Sequence, residues 1–416
     1  MRKAFLLTTL FLNTLFAQDQ TINNLNNYKN QYQYNLMDSL NEAHKTNDYS
    51  FYKAVYYNVT NNPKTSLKYL TTNKNKHLKN TFDYIKLKND NAIKAFDYKL
   101  AYETSKQLIT TFKDLLNTNQ LNDEINNQRI WEVLINTPKQ TISPFKTIEL
   151  TTKKDLANLI TLNVSNKSYT SDFVFDTGAG LNCITETQAK KLDVSILPDN
   201  NIEVESFTGQ KNNVKIGVAK SLTIGDITIK NAIFLVYPDD AFTFAGGKYV
   251  INGIIGFPIA KELGTLTIEE NKITVSKEIQ PYNGEKNLFI DQLRSIVMVN
   301  FKGKNVPCNF DTGASASLFN QSFYEKFKSY IDKNATDKEI TTAGAGAKTY
   351  THNIKILANE KFKIGNSAIL LPNFSIEYNN YGVYGKENFG NIGQDVLHQF
   401  KKITLSFDQN YLLLEN

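Results

Sequence analysis

The sequence predicts a mainly β fold of two similar lobes related by a pseudo-two-fold axis, preceded by an α-helical N-terminal domain. Three observations support this prediction. Short runs of alternating apolar and polar residues, separated by Gly and Asn, fill the chain after Phe145. The pentapeptide Phe-Asp-Thr-Gly-Ala occurs twice in that part, at residues 175–179 and 310–314. Before Gln140, apolar residues recur instead at three- or four-residue steps, which is the helical period.

Length and composition limit the classes of function. The 416 residues suffice for two to three domains with buried cores. Hydrophobic residues make up 41% of the chain and only nine residues are Pro, so most of the chain should be folded. The net charge of +6 arises from 47 basic and 41 acidic residues, without a dense basic block that contains aromatic residues. We therefore expect no nucleic-acid partner and no anionic-membrane partner.

Residues 1–17 have the layout of a secretory signal peptide. Two basic residues precede an apolar run from Ala4 to Phe16, and the small residue Ala17 stands before a polar stretch. A membrane anchor is the alternative, but this run of about 13 residues is short for a bilayer, which needs about 20. The pattern predicts an exported protein, periplasmic or secreted, without a stable membrane anchor after cleavage.

Residues 18–140 form the predicted helical domain. In its clearest segment Ile93, Phe96, Leu100, Leu108 and Phe112 share one helical face, with the helix cap expected at residues 89–91. Helical hairpins similar to tetratricopeptide-type repeats are one interpretation, although the roughly 34-residue period is not clean. A plain helical packing domain is the other. Residues 137–145 read as a linker.

The β-rich part divides into two copies, predicted as lobes at 145–280 and 285–416. Asp311 lies 135 residues after Asp176. In each copy a Gly-bearing turn, with Gly209 or Gly344, follows 33 residues after the Asp. An apolar-Gly turn follows at 80 residues in the first copy, with Gly256, and at 82 in the second. These matched offsets indicate an internal duplication, whereas one Asp-Thr-Gly alone would be an ordinary turn.

Two such lobes would bring Asp176 and Asp311 side by side at their junction. Two carboxyls about 3 Å apart cannot both ionise, so they share a proton and supply an acid and a base together. A water molecule held between them could then attack a peptide carbonyl without a metal, a cofactor or a covalent nucleophile. This chemistry predicts peptide hydrolysis, with an extended peptide or protein as substrate.

The repeated motif, the Gly-bearing turns and the turns "IIG" and "NIG" resemble the aspartic proteases of the retropepsin-like clan, with both halves fused in one chain. The resemblance covers roughly residues 145–416 and implies the bilobal acid-protease fold and endopeptidase activity. Ala179 and Ala314 after each Gly are similar to the retroviral-type motif. The predicted site residues are the catalytic Asp176 and Asp311, the loop-supporting Thr177, Gly178, Thr312 and Gly313, the flap residues Thr208, Gly209, Ala343 and Gly344, and the turn residues Ile255, Gly256, Ile392 and Gly393.

The remaining expectations are simpler. Cys183 and Cys308 permit one disulfide at most, and buried free thiols are the preferred interpretation. The four His residues lack ligand spacing, so no metal is expected. The pseudo-dimer within one chain predicts a monomer.

Two questions stay open at this point. The β-lobes could be a non-catalytic module that only grips a peptide or protein. The helical domain could recruit a protein partner, or it could be a propeptide that is later removed.

Overall fold

A computed structural model describes residues 19–73, 75–198, 202–205, 211–346, 349–379 and 388–416. The predicted signal peptide at residues 1–17 lies outside these ranges. The described chain consists of an N-terminal helical region followed by a large β-rich part with two main sheets, so the predicted fold class is confirmed.

The helical region begins with helical residues 19–30. The helices that follow are α1 Tyr34–His44, α2 Tyr49–Val59, α3 Pro63–Thr72, α4 Phe82–Lys94, α5 Tyr98–Thr111 and α6 Thr118–Leu134, with 3₁₀ turns at Leu78–Asn80 and Lys113–Leu115. Helices that are consecutive in the chain pack against each other, and their apolar faces enclose a core that includes Leu25, Met37 and Leu108.

The predicted helix cap at residues 89–91 is wrong. These residues belong to the last turns of α4. Phe96 takes a left-handed backbone conformation (φ 53°), which ends that helix, and the Asp97 side chain then caps α5 by accepting the amide N–H of Leu100. The apolar period therefore continues across a break between two helices.

The first lobe contains strands β1 to β14. Their bounds are β1 Thr141–Ile142, β2 Thr147–Lys154, β3 Ile160–Ser165, β4 Thr170–Phe175, β5 Asn182–Thr185, β6 Val194–Ile196, β7 Ile202–Glu205, β8 Lys211–Ile224, β9 Ile227–Tyr237, β10 Thr243–Phe244, β11 Tyr249–Val250, β12 Gly253–Ile255, β13 Thr265–Glu269 and β14 Lys272–Ser276. Helices α7 Glu186–Lys191 and α8 Phe257–Ala260 follow β5 and β12. Further 3₁₀ turns lie at Asp239–Phe242, Ala245–Gly247 and Lys261–Leu263. Strand β1 lies inside the segment that reads as a linker, and it pairs with β9.

The second lobe follows a similar order with fewer strands. Its strands are β15 Leu288–Asp291, β16 Arg294–Phe301, β17 Lys304–Phe310, β18 Leu318–Phe319, β19 Thr336–Ala343, β20 Thr349–Ile364, β21 Ser367–Ile376, β22 Gly390–Ile392, β23 Lys402–Ser406 and β24 Tyr411–Glu415. Helix α9 Gln321–Asn334 follows β18, and α10 Gln394–Leu397 follows β22.

One sheet connects the two lobes. Strands β23 and β24 end the chain but pair into the sheet of the first lobe, where β23 lies antiparallel to β13. Strand β14 pairs in turn with β2. The buried core is continuous through both lobes and includes Phe175, Phe310 and Phe407, none of which has exposed surface. This shared sheet and core fix the position of one lobe against the other.

The helical region contacts the first lobe mainly through apolar side chains. Tyr98 and Trp131 stack with their ring centres 6.2 Å apart. Both are buried in one cluster with Ile233 and Leu235 of β9. At its edge, the amide N–H of Glu203 on β7 donates to the Asn126 side chain at 3.2 Å.

Contacts to the second lobe are more polar. Lys94, which is fully buried, places its ammonium 2.7 Å from the Asp90 carboxylate and 3.1 Å from the carbonyl oxygen of Ile290 on β15. The rings of Tyr34 and Phe289 meet edge to face nearby, with centres 5.0 Å apart. A buried cation and an aromatic pair therefore join the helical region to the second lobe.

Candidate active site

Each Asp loop is positioned by the same pattern of main-chain pairing. Strand β4 runs parallel to β12, so that Phe175 pairs with Ile255, and the Asp176 amide donates to the carbonyl oxygen of Ile255 at 2.9 Å. In the second lobe Phe310 pairs with Ile392, and the Asp311 amide donates to the carbonyl oxygen of Ile392 at 3.0 Å. The predicted apolar-Gly turns thus lie directly beside the loops.

The glycines of those turns are also held alike. The Gly256 amide donates to the side-chain oxygen of Asn182 at 2.9 Å, and the Gly393 amide donates to the Ser317 hydroxyl at 2.9 Å. A Cβ atom at either glycine would collide with the main chain of the neighbouring Asp loop. Close backbone packing is therefore the reason for glycine at both positions.

Thr177 and Thr312 bind the two loops to each other. The Thr177 hydroxyl donates to the carbonyl oxygen of Phe310 at 2.6 Å and accepts the Thr312 amide at 3.2 Å. The Thr312 hydroxyl reciprocates, donating to the carbonyl oxygen of Phe175 at 2.7 Å and accepting the Thr177 amide at 3.1 Å. Both threonines are fully buried. These four hydrogen bonds fix the distance and the tilt between the loops.

The two carboxyl groups meet at the centre of this arrangement. The Asp311 carboxyl lies against Gly178 and the Asp176 carboxyl lies against Gly313, so the two groups face each other across the junction. Gly178 and Gly313 make this approach sterically possible, because a Cβ atom at either would overlap the carboxyl group of the opposite lobe. Each carboxylate is also held by its own loop. Oδ1 of Asp176 accepts the Gly178 amide at 2.8 Å, and Oδ1 of Asp311 accepts the Gly313 amide at 3.0 Å.

The electrostatics of the pair favour a shared proton. Burial is the largest cause that raises the pKa of Asp176 and of Asp311 above the usual range of a carboxyl. The negative charge of Asp176 raises the pKa of Asp311 further. The two groups therefore titrate as one unit, and the singly ionised form persists over a wide range of pH.

Two of the four predicted flap residues, Ala343 and Gly344, lie within the described ranges. Ala343 ends β19 and Gly344 follows it, at the tip of the β19–β20 hairpin. This tip reaches the first lobe, where the Gly346 amide donates to the carbonyl oxygen of Ala241 at 2.8 Å. Thr208 and Gly209 lie outside the described residues, between β7 and β8.

Two features of the site escape sequence reasoning. The Asn391 side chain donates to Oδ2 of Asp311 at 3.2 Å, and Asn309 in turn donates to Asn391 at 2.8 Å. The only available signal is that the turn "NIG" carries Asn where the first copy, "IIG", carries Ile254. The second feature is the contact of the helical region with β7, the strand that pairs with β8 in the first lobe. Nothing in the local sequence indicates that contact.

In the ranges described, no group of three or more His, Cys, Asp or Glu side chains is close enough together to hold a metal ion. Cys183 and Cys308 are buried free thiols, and burial raises the pKa of each. None of the helices in the described ranges combines the length and apolar character that a bilayer span needs.

Comparison with known proteins finds a similarity for part of the chain. Residues 160–259, which include Asp176 and Gly256, match the model of a family described as aspartyl protease. The search of curated protein sequences finds no match. Among solved structures, basic 7S globulin from soybean aligns with a TM-score of 0.40 at 11% identity, over 65% of this chain and 95% of that one. Conglutin gamma, a basic 7S globulin from lupine seeds, aligns with a TM-score of 0.39 at 8% identity, over 64% and 94%.

Proposed function

We propose that this chain is an aspartic endopeptidase, which hydrolyses an extended peptide or protein segment with a water molecule activated between Asp176 and Asp311. The observation that carries the proposal is the pair of half-buried carboxyls that face each other across the lobe junction, each held by the main chain of its own loop. The match of residues 160–259 to the aspartyl protease family supports it.

The chemistry follows from the single proton that the pair holds. The ionised carboxyl accepts a proton from the water, whose oxygen attacks the peptide carbonyl carbon. The protonated carboxyl gives its proton to the carbonyl oxygen, and a neutral gem-diol results. On collapse, one gem-diol hydroxyl returns a proton to the pair, the other carboxyl protonates the departing nitrogen, and the C–N bond breaks. The pair ends in its starting state.

The hairpin tips supply the substrate contacts in this proposal. The β19–β20 tip, with Ala343 and Gly344, crosses to the first lobe and contacts Ala241. An extended peptide beneath it would find main-chain N–H and C=O groups to pair with, as an added strand does. Thr208 and Gly209 are proposed as the matching tip of the first lobe.

The helical region is proposed to be a retained part of the mature protein that can recruit a protein partner. Its buried contacts favour retention over removal as a propeptide. Excision would expose the cluster around Trp131 and leave Ile290 without its contact to Lys94. The mature protein is further proposed to be an exported monomer, periplasmic or secreted.

Export and retention are tested together by sequencing the N-terminus of the protein recovered outside the cytoplasm. We expect a chain that begins with Gln18. A chain that begins near Phe145 would support the propeptide interpretation, and a chain that retains residues 1–17 inside the cell would contradict export.

Peptidase activity is tested with an unfolded protein as substrate over a range of pH. Asp176→Asn and Asp311→Asn are each expected to lower kcat/KM by at least about 1,000-fold, because either change removes the shared proton and charge. The double variant should lose little more, since the two carboxyls act as one unit.

Asp226→Asn provides the matched control, because Asp226 lies in the exposed turn between β8 and β9. It should cleave like the wild type. Cleavage that survives either Asp176→Asn or Asp311→Asn would contradict the mechanism. A wild-type protein that binds the unfolded chain but never cleaves it would favour the non-catalytic peptide-binding module.

A further inference from the structure

The first lobe contains a layer of strands that is apolar on both faces. Along β9, Phe234 and Val236 belong to the buried core that the two lobes share. The alternate residues Ile233 and Leu235 belong to a second buried cluster, which also contains Trp131 of α6. Successive side chains of a strand point to opposite faces of its sheet. The outer face of this layer is therefore covered by the helical region.

Strands β7 and β8 continue the covered face. Ile202 on β7 and Val214 on β8 lie opposite each other in the ladder, and they are only 2% and 3% exposed. Both belong to the cluster that contains Trp131. The two strands flank Thr208 and Gly209, the proposed substrate-binding tip of the first lobe. The helical region thus packs against the strands that carry this segment.

One hydrogen bond ties the edge of β7 to α6. The amide N–H of Glu203 donates to Oδ1 of Asn126 at 3.2 Å. An edge strand presents a row of unpaired N–H and C=O groups on the side away from its partner strand. The Asn126 side chain therefore occupies a place where a further strand would pair with β7.

The tip of the β19–β20 hairpin rests on the same part of the first lobe. The Gly346 amide donates to the carbonyl oxygen of Ala241 at 2.8 Å. Ala241 is buried in the cluster that contains Trp131, and Ala345 packs against that cluster. The side-chain nitrogen of Asn212 on β8 lies 3.5 Å from the carbonyl oxygen of Ala345. Substrate-binding segments proposed for both lobes thus connect to α6 through one cluster.

We propose that α6 positions the substrate cleft: Trp131 and Asn126 hold β7 and β8, and with them the surface on which the tip of the second hairpin rests. Both are positioning residues, because they act through these strands. If the strands loosen, only the fraction of molecules that has them in place can bind a peptide, and the apparent affinity falls by that fraction. The role in substrate binding rests on the proposed peptidase function, whereas the attachment of the strands to α6 does not.

Two substitutions on α6 test the inference. Trp131→Ala removes the largest side chain that this helix contributes to the cluster. Asn126→Ala removes only the hydrogen bond to β7, and it keeps the test decisive if Trp131→Ala melts well below wild type. Asn122→Ala is the matched control for Asn126→Ala, because Asn122 lies one turn earlier on α6 and is exposed. Met37→Ala is the control for Trp131→Ala, because Met37 is fully buried in the other core of the helical region.

The first readout is amide hydrogen exchange, measured by mass spectrometry of peptides from each strand, which does not require activity. In Asn126→Ala we expect β7 and β8 to exchange about 10-fold faster than in wild type, the effect of losing one hydrogen bond. Trp131→Ala should raise their exchange by at least about 100-fold and also accelerate exchange at the β19–β20 tip. Asn122→Ala should exchange as wild type does. Met37→Ala should accelerate exchange in α1 and leave β7 and β8 unchanged.

The second readout is the cleavage kinetics of an unfolded protein substrate. Trp131→Ala should raise KM by about 10-fold, because fewer molecules have the strands in place. Its kcat should stay within about twofold of wild type, since the bound substrate orders the strands again. Asn126→Ala should change KM in the same direction by less. A role confined to overall stability would move neither constant in the fraction of the protein that is folded.

Four outcomes decide the inference. Folded α6 variants in which β7 and β8 exchange as in wild type would overturn it, even if wild type cleaves peptides. Exchange that rises equally throughout the chain would also overturn it, because α6 would then contribute only to overall stability. Faster exchange of β7 and β8 in a protein without peptidase activity would support their attachment to α6 and overturn the proposed function. A lower kcat at unchanged KM would overturn the role of α6 in substrate binding.

Discussion

The two lobes share a backbone plan around the active site but differ in the side chains that surround it. Each lobe presents its Asp at the end of a strand paired in parallel with an apolar-Gly turn. The threonines and glycines of the two loops also make matching contacts. Outside this frame, the first lobe carries aliphatic residues where the second carries the amides of Asn309 and Asn391.

A second difference lies where β8 pairs with β9 in the first lobe and β20 pairs with β21 in the second. Lys215 pairs with Val236 in the first lobe, and Lys355 pairs with Ile376 in the second. Counting from these pairs, Asn212 and Tyr237 occupy the positions that His352 and Glu377 occupy in the other lobe. Two carboxyls must meet symmetrically, which requires the same loop geometry twice. Their surroundings have no such requirement, and there the copies differ in polarity and in titratable groups.

Thr177 and Thr312 test whether the two Asp loops are energetically equivalent. Thr177→Val and Thr312→Val keep the shape of the side chain but remove the hydroxyl. Each leaves a buried amide and a buried carbonyl of the opposite loop without a partner. We expect each variant to lower the free energy of unfolding by about 3 kcal/mol, by nearly equal amounts in the two lobes. Urea denaturation monitored by circular dichroism measures this.

Thr→Ser at the same positions retains the hydroxyl and should cost much less. Thr341→Val is the matched control, because the Thr341 and Thr351 hydroxyls form an exposed pair on β19 and β20. If Thr177→Val and Thr312→Val differed by more than about 1 kcal/mol, the two loops would not be energetically equivalent.

The sequence was sufficient to predict the shared part of the lobes. The repeat of Asp, Thr and Gly at fixed offsets predicted which residues would meet, because close carboxyls and tight turns demand those residue types. The positions of Ile255 and Ile392 beside the loops followed from the same offsets. Where chemistry or steric contact requires a particular residue type, the spacing of those residues in the sequence predicts which of them lie close together in the fold.

The differences between the lobes could not be predicted, because they depend on contacts between distant segments. Asn391 is visible in the sequence, but only the pairing of β22 with β17 shows that it faces Asp311. The contact of Asn126 with Glu203 joins residues from separate parts of the fold.

The wrong prediction of the helix cap has a local cause. The left-handed backbone at Phe96 interrupts an apolar period that is continuous in the sequence.

The smallest predicted effect concerns the titratable pair of the second lobe. His352 Nε2 lies 2.8 Å from an oxygen of Glu377, and both side chains are buried. Burial raises the pKa of Glu377 from its usual 4.5 to about 7 and lowers the pKa of His352. The folded state therefore keeps a proton on Glu377 that the unfolded chain releases, and this contribution to stability is lost as pH rises from 4.5 to about 7.

Glu377→Gln keeps the size of the side chain and its capacity to hydrogen-bond, but the amide does not titrate. Relative to wild type, we expect it to gain on the order of 2 kcal/mol in unfolding free energy between pH 5 and pH 8, measured by urea denaturation. Because His352 lies 2.8 Å from this carboxyl, the difference reports the titration of the His352–Glu377 pair. Glu339→Gln, on the exposed face of β19, should follow wild type at both pH values. Equal pH slopes for Glu377→Gln and wild type would mean that Glu377 ionises in the fold as freely as in the unfolded chain.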